Sequence, residues 1–308
     1  MIGKSDLIYL AGHKGLLGSS ILRNLKKKGF KNIITRNSSQ LDLINQSKTF
    51  KFLKKYKPKC IIIAAAFVGG IKANNDFKAD FIYKNTMINT NLIHSAYLNK
   101  IKNLIFFGSS CAYPKFSKQP IKEKYLLTDS LEKTNEPYAV AKISGIKMCE
   151  SYSNQYSLNY KCLMPCNTFG PNDNYNLETS HFFPALIRKI HEIKIKKKNT
   201  LVVWGNGKAR RELIYVDDIA EACIYFMNKK IKEPIINIGR GEDFTINEYI
   251  KMIKKVIFPK KKLQVVYDHS KPNGTPRKLL DISLAKKYGW KSKLDLESSI
   301  RETYRTFL

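Results

Sequence analysis

The chain has 308 residues, 43% of them hydrophobic, with 16 glycines and 11 prolines. These values exclude a disordered or low-complexity protein and provide enough apolar side chains for a large core, in one domain or two coupled ones. The formal net charge is +30, from 55 basic and 25 acidic residues, and such a basic field favours anionic small ligands such as nucleotides.

Strands and helices alternate through the first half of the chain. The apolar run at residues 60–66 (CIIIAAA) is typical of a strand covered on both faces. The alternation predicts an α/β fold with a doubly wound parallel sheet of the Rossmann type. Strands are predicted at residues 6–12, 32–36, 60–66, 103–110 and 160–165, and helices at residues 16–29, 80–99 and 138–156.

The pattern loosens after residue 167, where a turn-rich stretch begins. Helices are predicted at 183–193, 246–257 and 294–304, a strand at 201–207, and a strand that runs into a helix at 212–227. We expect a smaller C-terminal α/β lobe interleaved with the end of the sheet domain. The predicted division is a nucleotide-binding domain at 1–168, to which part of 212–240 returns, and mainly a substrate-binding lobe at 169–308.

The positive charge has two interpretations. A basic protein can bind a nucleic acid or an anionic membrane. The lysines, however, are spread along the chain in short runs, which indicates solvated surface positions without a dedicated partner. We therefore expect no nucleic-acid or membrane partner.

The cysteines and the N-terminus indicate the compartment. None of the six cysteines forms a C-x2-C pair, and Cys162 and Cys166 lack the second Cys/His pair that a zinc site needs. We therefore expect reduced thiols in the cytoplasm and no metal site. The apolar run at 7–12 is too short for a signal peptide, and the run at 60–71 is too short to cross a bilayer.

A glycine-rich turn, GHKGLLG, follows the first predicted strand and opens the first helix. Glycines there permit a tight turn and let the backbone approach a pyrophosphate, while the helix N-terminus supplies free N–H groups. The strand–turn–helix context indicates a dinucleotide site, and a purely structural turn is the alternative. The predicted cofactor contacts in this turn are Gly12, His13, Lys14, Gly15, Leu16, Leu17 and Gly18.

The end of the second strand favours NADP(H) over NAD(H). An acidic residue there would bind a ribose 2′-hydroxyl, but the segment is ITRNSSQ, with Arg36 and no carboxylate before Asp42. An arginine accommodates a 2′-phosphate. A solvated surface arginine is the alternative for Arg36, and Asp42 either reaches the adenine or begins a turn.

The segment YAVAK places Tyr138 and Lys142 four residues apart, on one face of a predicted helix. An ammonium near a phenol favours the phenolate and lowers the pKa of the tyrosine, which prepares it for proton transfer. Ser109, Ser110 and Cys111 stand at the end of the fourth predicted strand, where open α/β sheets bind their ligands. A Tyr-x3-Lys pair alone is a weak signal, and it becomes specific beside the glycine turn and the strand-end serine.

This combination resembles the extended short-chain dehydrogenase/reductase superfamily along the whole chain. Within it, many stretches resemble the GDP-L-fucose synthases, which carry both epimerase and reductase activity with NADPH. The resemblance implies conversion of GDP-4-keto-6-deoxymannose to GDP-L-fucose by epimerisation at C3 and C5 and reduction at C4. The stretches are AGHKGLLGS, AAAFVGGIKANN, ADFIYKN, FFGSSCAYPK, TNEPYAVAK, TSHFFPALIRK, VVWGNG, RRELIYVDD and KPNGTPRKLLD.

The resemblance assigns roles to the strand-end residues. Tyr138 is implied as the acid/base, Lys142 as its assistant, and Ser109, with Ser110 as the alternative, as the group that hydrogen-bonds the reacting carbonyl. Dehydratases of the superfamily carry a carboxylate pair after that serine, so Ser110 and Cys111 disfavour dehydration. Further cofactor contacts are implied at Phe107, Gly108, Ser109, Ser110, Lys142, Pro165, Cys166, Asn167, Thr168 and His181.

A thiol at position 111 suits the removal of a proton α to a ketone. The resemblance implies that Cys111 takes a proton from one face of the sugar and that His181 returns one on the other, while Ser109 and Tyr138 stabilise the enolate oxygen. Taken singly, Cys111 would be a small buried filler and His181 a loop or capping residue.

Four residues of the second lobe are implied as substrate contacts: Lys189, Trp204, Arg211 and Asn273. Arginine and lysine suit a diphosphate, and a tryptophan can line a sugar site or simply fill a core. Two positions depart from the family pattern, since Cys166 stands where threonine is common and Asn273 where aspartate is common. These departures bear on substrate specificity more than on the reaction class.

Two other functions fit the sequence. One is an NADP-dependent 4-reductase or epimerase of the same superfamily acting on another nucleotide sugar. The other is a basic nucleic-acid-binding protein on an enzyme-like fold, which the intact Ser109, Tyr138 and Lys142 set disfavours. The family also implies a homodimer formed through the helices predicted at 80–99 and 138–156.

Overall fold

The computed structural model describes residues 1–270 and 274–308. Its strands are β1 (Ile8–Ala11), β2 (Ile33–Arg36), β3 (Cys60–Ile63), β4 (Asn103–Phe107), β5 (Asn159–Pro165), β6 (Asn167–Phe169), β7 (Thr200–Trp204), β8 (Arg210–Arg211), β9 (Leu213–Tyr215), β10 (Ile235–Ile238), β11 (Phe244–Thr245), β12 (Gln264–Asp268) and β13 (Arg277–Lys278). Its α-helices are α1 (Leu16–Lys27), α2 (Gln46–Tyr56), α3 (Ile71–Asp76), α4 (Lys78–Leu98), α5 (Glu136–Tyr156), α6 (Phe182–Ile195), α7 (Val216–Asn228), α8 (Ile246–Ile257), α9 (Ser283–Lys287) and α10 (Leu296–Phe307).

Six strands form one parallel sheet in the order β10–β5–β4–β3–β1–β2. Every residue of β1 and β3 is buried, because helices flank the sheet and cover both of its faces. The strand order changes direction between β1 and β3, and parallel sheets bind ligands beside the carboxyl ends of the strands at such a point. The predicted doubly wound α/β fold is confirmed.

The helices that flank the sheet belong to two groups, α1 packed with α7, and α4 packed with α2 and α5. α2 is absent from the sequence prediction. Its sequence, QSKTFKFLKKY, is rich in lysine, and only Thr49 and Leu53 are fully buried, so its apolar stripe is narrow. The Asn45 side chain caps its N-terminus by accepting a hydrogen bond from the Lys48 N–H.

A second hydrophobic cluster lies outside the sheet and is formed mainly by α6, β7, α8 and α10. Beside it, β8 pairs with β11 and with β13 in a small three-stranded sheet. Residues close to the C-terminus also return to the core of the large sheet, where Leu280 and Trp290 are buried. The division into two lobes at residue 168 remains a prediction.

Two predicted strands are shorter than the apolar runs suggest. The strands predicted at 60–66 and 103–110 end at Ile63 and Phe107. After Phe107 the chain makes a 3-10 turn over Ser110–Ala112, which Ser109 caps by accepting a hydrogen bond from the Cys111 N–H. The sheet therefore presents polar side chains at this carboxyl edge.

Within residues 1–270 and 274–308, none of the helices combines the length and the apolarity needed to cross a membrane.

Candidate active site

The glycine turn lies at the carboxyl end of β1, against the segment that follows β3. Gly12 has a φ of +86°, and a Cβ added there would lie 2.6 Å from the Ala65 backbone nitrogen. A Cβ on Gly18 would overlap the Gly12 carbonyl oxygen, so both positions require glycine. Gly15 has no such obstruction and begins α1, whose first turn carries no acidic side chain and no side-chain cap. The turn therefore fits the pyrophosphate of a dinucleotide, with the free N–H groups of α1 directed at it.

Other predicted cofactor residues surround this turn. His13 Nδ1 is buried without a hydrogen-bond partner among the described residues, and desolvation together with Lys14 lowers the pKa of His13. Cys166 is buried at the end of β5, and burial raises the pKa of its thiol, which keeps it uncharged at neutral pH. Thr168 donates a hydrogen bond to the Cys166 carbonyl oxygen at 3.2 Å. These contacts fix the loop beside the carboxyl edge of the sheet.

Arg36 is the last residue of β2, at the same edge. Its guanidinium donates to the Thr35 carbonyl oxygen at 2.7 Å and to the Tyr56 hydroxyl at 3.1 Å, and it lies 5.8 Å from the centre of the Phe52 ring. The group is therefore held in place by α2 while its remaining donors stay available to a 2′-phosphate. Asp42 accepts a hydrogen bond from the Ile44 N–H at 3.0 Å, as expected for the start of a turn.

We expect Arg36→Gln to raise the KM for NADPH by about 10-fold or more, because a charge-assisted hydrogen bond contributes about 1.5–3 kcal/mol. The KM for NADH should change little. Steady-state kinetics with both coenzymes measures the ratio, and Lys51→Gln, which removes an exposed charge from α2, is the matched control. Equal changes with NADPH and NADH would contradict the assignment of Arg36.

Ser109, Tyr138 and Cys111 lie together beyond the end of β4. Tyr138 lies close enough to Ser109 and Cys111 for both side chains to affect its pKa, Cys111 raising it and Ser109 lowering it. Ser109 Oγ accepts the Cys111 N–H at 3.2 Å, whereas the neighbouring Ser110 is buried. Of the two serines, Ser109 is therefore the one placed beside the tyrosine.

The structure reverses one electrostatic expectation from the sequence. Lys142 was expected to lower the pKa of Tyr138, but the pKa of Tyr138 is raised, mainly by burial and then by Cys111. The Lys142 ammonium donates instead to the Phe107 carbonyl oxygen at 2.8 Å and lies 5.8 Å from the centre of the Tyr138 ring. Burial lowers the pKa of Lys142 to about 8. Tyr138 is therefore a protonated phenol at neutral pH, which is the form that donates a proton.

Cys111 lies at a junction of cationic side chains. The Lys278 ammonium lies 3.6 Å from the Cys111 sulfur, and Arg211 also interacts electrostatically with it. All six cysteines fall within the described residues, and Cys111 is the one that is not fully buried. A partly exposed thiol in contact with an ammonium is placed to exchange a proton with a ligand bound at this edge of the sheet.

His181 immediately precedes α6 and completes the cluster. Part of its surface remains in contact with solvent, but the protein around it and the Lys278 charge lower its pKa, so its imidazolium gives up a proton readily. The preceding residues are held by the loop after β3, since the Gly70 N–H donates to the Thr179 carbonyl oxygen at 2.7 Å. A Cβ on Gly70 would lie only 2.5 Å from the Ser180 carbonyl oxygen, so glycine permits this close approach.

The predicted substrate residues divide into two places. Arg211 lies beside Cys111, where its guanidinium is fixed by the Thr275 carbonyl oxygen at 2.6 Å. Lys189 lies 6.0 Å from the centre of the Trp204 ring and donates to the Val202 carbonyl oxygen at 3.1 Å. Trp204 is 49% exposed, which argues against the core-residue alternative. Asn273 lies outside the described residues.

The sequence analysis missed Lys278. The motif at 271–281 was identified, but no role was assigned to this lysine. In the structure its ammonium contacts the Cys111 sulfur, and its charge also lowers the pKa of His181. No local pattern indicated this role, because β13 has only two residues and its pairing with β8 depends on the tertiary structure. No group of three or more His, Cys, Asp or Glu residues suited to a metal ion occurs in the part of the chain that the structure describes.

Comparisons with known proteins identify the family of the chain. The profile of the NAD dependent epimerase/dehydratase family matches residues 8–239. The whole chain is 48% identical to the putative GDP-L-fucose synthase 2 of Arabidopsis thaliana, of which it covers 93%. The GDP-L-fucose synthase of Escherichia coli (strain K12) is 44% identical over 98% of the chain, with 96% of that protein covered.

Solved structures show the same fold. A GDP-D-glycero-L-gluco-heptose synthase from Campylobacter jejuni, crystallised in the presence of NADPH, superposes with a TM-score of 0.91 at 35% identity, covering 100% of this chain and 99% of that one. These similarities extend over the sheet and over the segments that carry the site. The chain belongs to the NAD dependent epimerase/dehydratase family and, within it, to the GDP-L-fucose synthases.

Proposed function

We propose that this protein converts GDP-4-keto-6-deoxymannose to GDP-L-fucose with NADPH, by epimerisation at C3 and C5 followed by reduction at C4. The observation that carries the proposal is the convergence of Ser109, Tyr138 and Cys111 at one strand end, with Lys278 beside the sulfur. A 4-reductase needs a tyrosine and a serine but no thiol. Proton removal next to a ketone needs a base, and the Cys111 thiolate supplies it.

The epimerisations use both members of the acid/base pair. The Cys111 thiolate takes the proton from the carbon next to the C4 ketone, and the C–H electron pair moves into the C–C bond to form an enolate. The oxygen of that enolate is stabilised by the Ser109 and Tyr138 hydroxyl groups, which lie near each other. The His181 imidazolium returns a proton on the opposite face. Cys111 then releases its proton to water and His181 takes one up from water, so the exchange can be repeated at the second of the two carbons that flank the ketone.

The reduction uses the tyrosine again. Bound NADPH supplies a hydride for C4. Tyr138 donates its phenolic proton to the C4 oxygen, and its raised pKa ensures that this proton is present at neutral pH. The Lys142 ammonium, held by the Phe107 carbonyl oxygen, orients the ribose beside the nicotinamide and offsets charge left on the tyrosine oxygen.

The nucleotide portions of cofactor and substrate use separate parts of the chain. Residues 1–168 hold NADP(H) through the Gly12–Gly18 turn and Arg36, which fixes the cofactor preference. Residues 169–308 hold the GDP portion, with Arg211 and Lys189 facing the diphosphate and Trp204 beside the sugar or base. Asn273, which lies outside the described residues, remains a proposed substrate contact that can donate and accept hydrogen bonds without carrying a charge.

The assembly and compartment follow from the surface and the composition. The α4 and α5 helices carry exposed apolar side chains, including Tyr83 at 57% and Val140 at 40% exposed, and these support a homodimer through that pair of helices. Six reduced cysteines support a cytoplasmic location.

A second candidate function is the reduction of another GDP-sugar at C4 without epimerisation. The similarity to a GDP-D-glycero-L-gluco-heptose synthase favours it, because that protein works on a different GDP-linked sugar within the same fold. The partly exposed thiol at position 111 favours the epimerising enzyme instead.

One incubation in D₂O separates the two candidates. Protein, NADPH and GDP-4-keto-6-deoxymannose are mixed, NADPH absorbance is followed, and the product is analysed by NMR. We expect NADPH oxidation, deuterium at both C3 and C5, and a product of fuco configuration. NADPH oxidation without deuterium at either carbon would instead favour a 4-reductase without epimerase activity, and no oxidation at all would refute the first candidate.

A further inference from the structure

The small sheet next to the site carries four cationic side chains, two on each face. β8 and β13 are parallel neighbours in which Arg277 is paired with Arg210 and Lys278 with Arg211. Successive residues of a strand point to opposite faces, and paired residues of neighbouring strands point to the same face. One face therefore carries Arg210 and Arg277, and the other carries Arg211 and Lys278.

On the first face, a buried carboxylate pairs with both arginines. Asp243 is 6% exposed and accepts hydrogen bonds from Arg277 at 2.6 and 3.1 Å and from Arg210 at 3.1 Å. Burial alone would raise the pKa of Asp243, but Arg277 and Arg210 outweigh it and hold the pKa below its usual range. Asp243 thus ties β8 to β13 from behind, and the separation of the two strands is fixed by this ion-paired cluster.

The second face points at the thiol. The Lys278 ammonium reaches the Cys111 sulfur at 3.6 Å, and Arg211 acts on the same sulfur. Lys278 also acts electrostatically on Glu132, whose carboxylate is paired with Lys115 at 2.9 Å. Among the described residues, Lys278 thus contacts Cys111 and acts electrostatically on His181 and Glu132.

We propose that Lys278 is a positioning residue of the epimerase chemistry, holding Cys111 as a thiolate, and that the Asp243 cluster holds Lys278 in place for this task. The catalytic meaning of this inference rests on the proposed function. The effect of Lys278 on the Cys111 thiol can be measured in the protein without substrate. The same ammonium favours release of the proton from His181, so one cation acts on both members of the acid/base pair.

Within residues 1–270 and 274–308, the charged and titratable groups shown to interact with Cys111 come from three elements. They are Lys278 from β13, Arg211 from β8 and Tyr138 from α5. Tyr138 is uncharged at neutral pH because burial raises its pKa, so the two cations dominate. Lys278 is the cation in direct contact with the Cys111 sulfur, so its removal should change the reactivity of the thiol more than the removal of Arg211.

Alkylation of Cys111 tests the electrostatic part without substrate. The other five cysteines are buried, so iodoacetamide followed by peptide mass spectrometry reports on Cys111 in the folded protein. We expect Lys278→Met to slow alkylation at pH 7 by about 10-fold, since the thiolate is the reactive form and the variant lacks the ammonium that lies 3.6 Å from the sulfur. At pH 10 the thiol is ionised in both proteins, and the two rates should agree. Lys278→Arg, which keeps the charge, should restore most of the rate at pH 7.

The control variant is Lys255→Met, which removes one exposed lysine from the remote α8 and should leave the rate unchanged. Equal slowing of Lys278→Met at both pH values would overturn the proposal, because it would indicate lost access and not lost charge. Unchanged rates at both pH values would overturn it as well. Asp243→Asn should also slow alkylation at pH 7, but by less. If the folded Asp243→Asn variant is alkylated at the wild-type rate at both pH values, Asp243 does not hold Lys278 in place.

The catalytic consequence is measured separately. In D₂O, Lys278→Met should lose about 10-fold or more of the exchange at C3 and C5, while its affinity for NADPH stays unchanged. If the wild-type protein shows no exchange, the proposed function is refuted. The alkylation experiment then still decides whether Lys278 acts on the Cys111 thiol. If the wild type exchanges and Lys278→Met exchanges equally fast, the proposed role of Lys278 in catalysis is wrong.

Discussion

Replacing Cys111 with serine should reduce deuterium exchange at C3 and C5 by about 10²–10⁴-fold, the contribution of a positioned acid/base group. A serine hydroxyl occupies nearly the same space as the thiol, and it can still accept hydrogen bonds from the cationic side chains that face Cys111. It does not ionise near neutral pH, so the pair of Lys278 and Arg211 has no anion to stabilise. The loss therefore comes from chemistry and not from packing.

The same variant should retain hydride transfer. Tyr138, Ser109 and Lys142 are untouched, so the C4 ketone can still be reduced, and NADPH oxidation should continue with little deuterium in the product. NADPH binding, followed by coenzyme fluorescence, should match the wild type. The control is Cys223→Ala, which removes a buried thiol from α7 far from the strand-end cluster and should leave exchange unchanged. Wild-type exchange in Cys111→Ser would exclude the thiol as the base.

Much of the fold was predictable because its signals are local. Buried parallel strands such as β1 and β3 appear as continuous apolar runs, and the glycine turn between β1 and α1 has a fixed spacing. The helix α2 was not predicted, because a helix that buries only Thr49 and Leu53 leaves a weak periodic signal among its lysines. Strand ends were also uncertain, since the chain leaves the sheet at Phe107 while the sequence remains apolar or small.

The candidate site was predictable only where motifs carry it. Tyr138 and Lys142 share a helix turn, and Ser109 and Cys111 share a strand end, so short stretches indicate both pairs. Lys278 is separated from Cys111 by 167 positions along the chain, and its role depends on the pairing of β13 with β8. The direction of the pKa shift of Tyr138 could not be predicted either, because it is set by burial, which depends on the complete tertiary structure.

Replacing Tyr138 with phenylalanine should impair both halves of the reaction. The phenol donates the proton that completes reduction, and it also stabilises the enolate oxygen, so NADPH oxidation and exchange at C3 and C5 should each fall by about 10²–10⁴-fold. The ring itself should stay in place, since it packs edge-on against Phe81 with ring centres 6.3 Å apart. The two variants thus differ in pattern: Cys111→Ser separates exchange from reduction, and Tyr138→Phe abolishes them together.

The measurement combines NADPH absorbance with NMR of the product in D₂O, and it includes Tyr83→Phe, which removes a hydroxyl from an exposed position of α4, as the matched control. Binding of NADPH by Tyr138→Phe should be close to that of the wild type, because the ribose is held by Lys142 and the pyrophosphate by the glycine turn. If Tyr138→Phe loses reduction but keeps full exchange, the enolate oxygen is stabilised by Ser109 and other donors, and the tyrosine serves the reductase step alone. If it keeps both activities, the proton for C4 comes from a different group, and the shared role of the Ser109–Tyr138 pair is refuted.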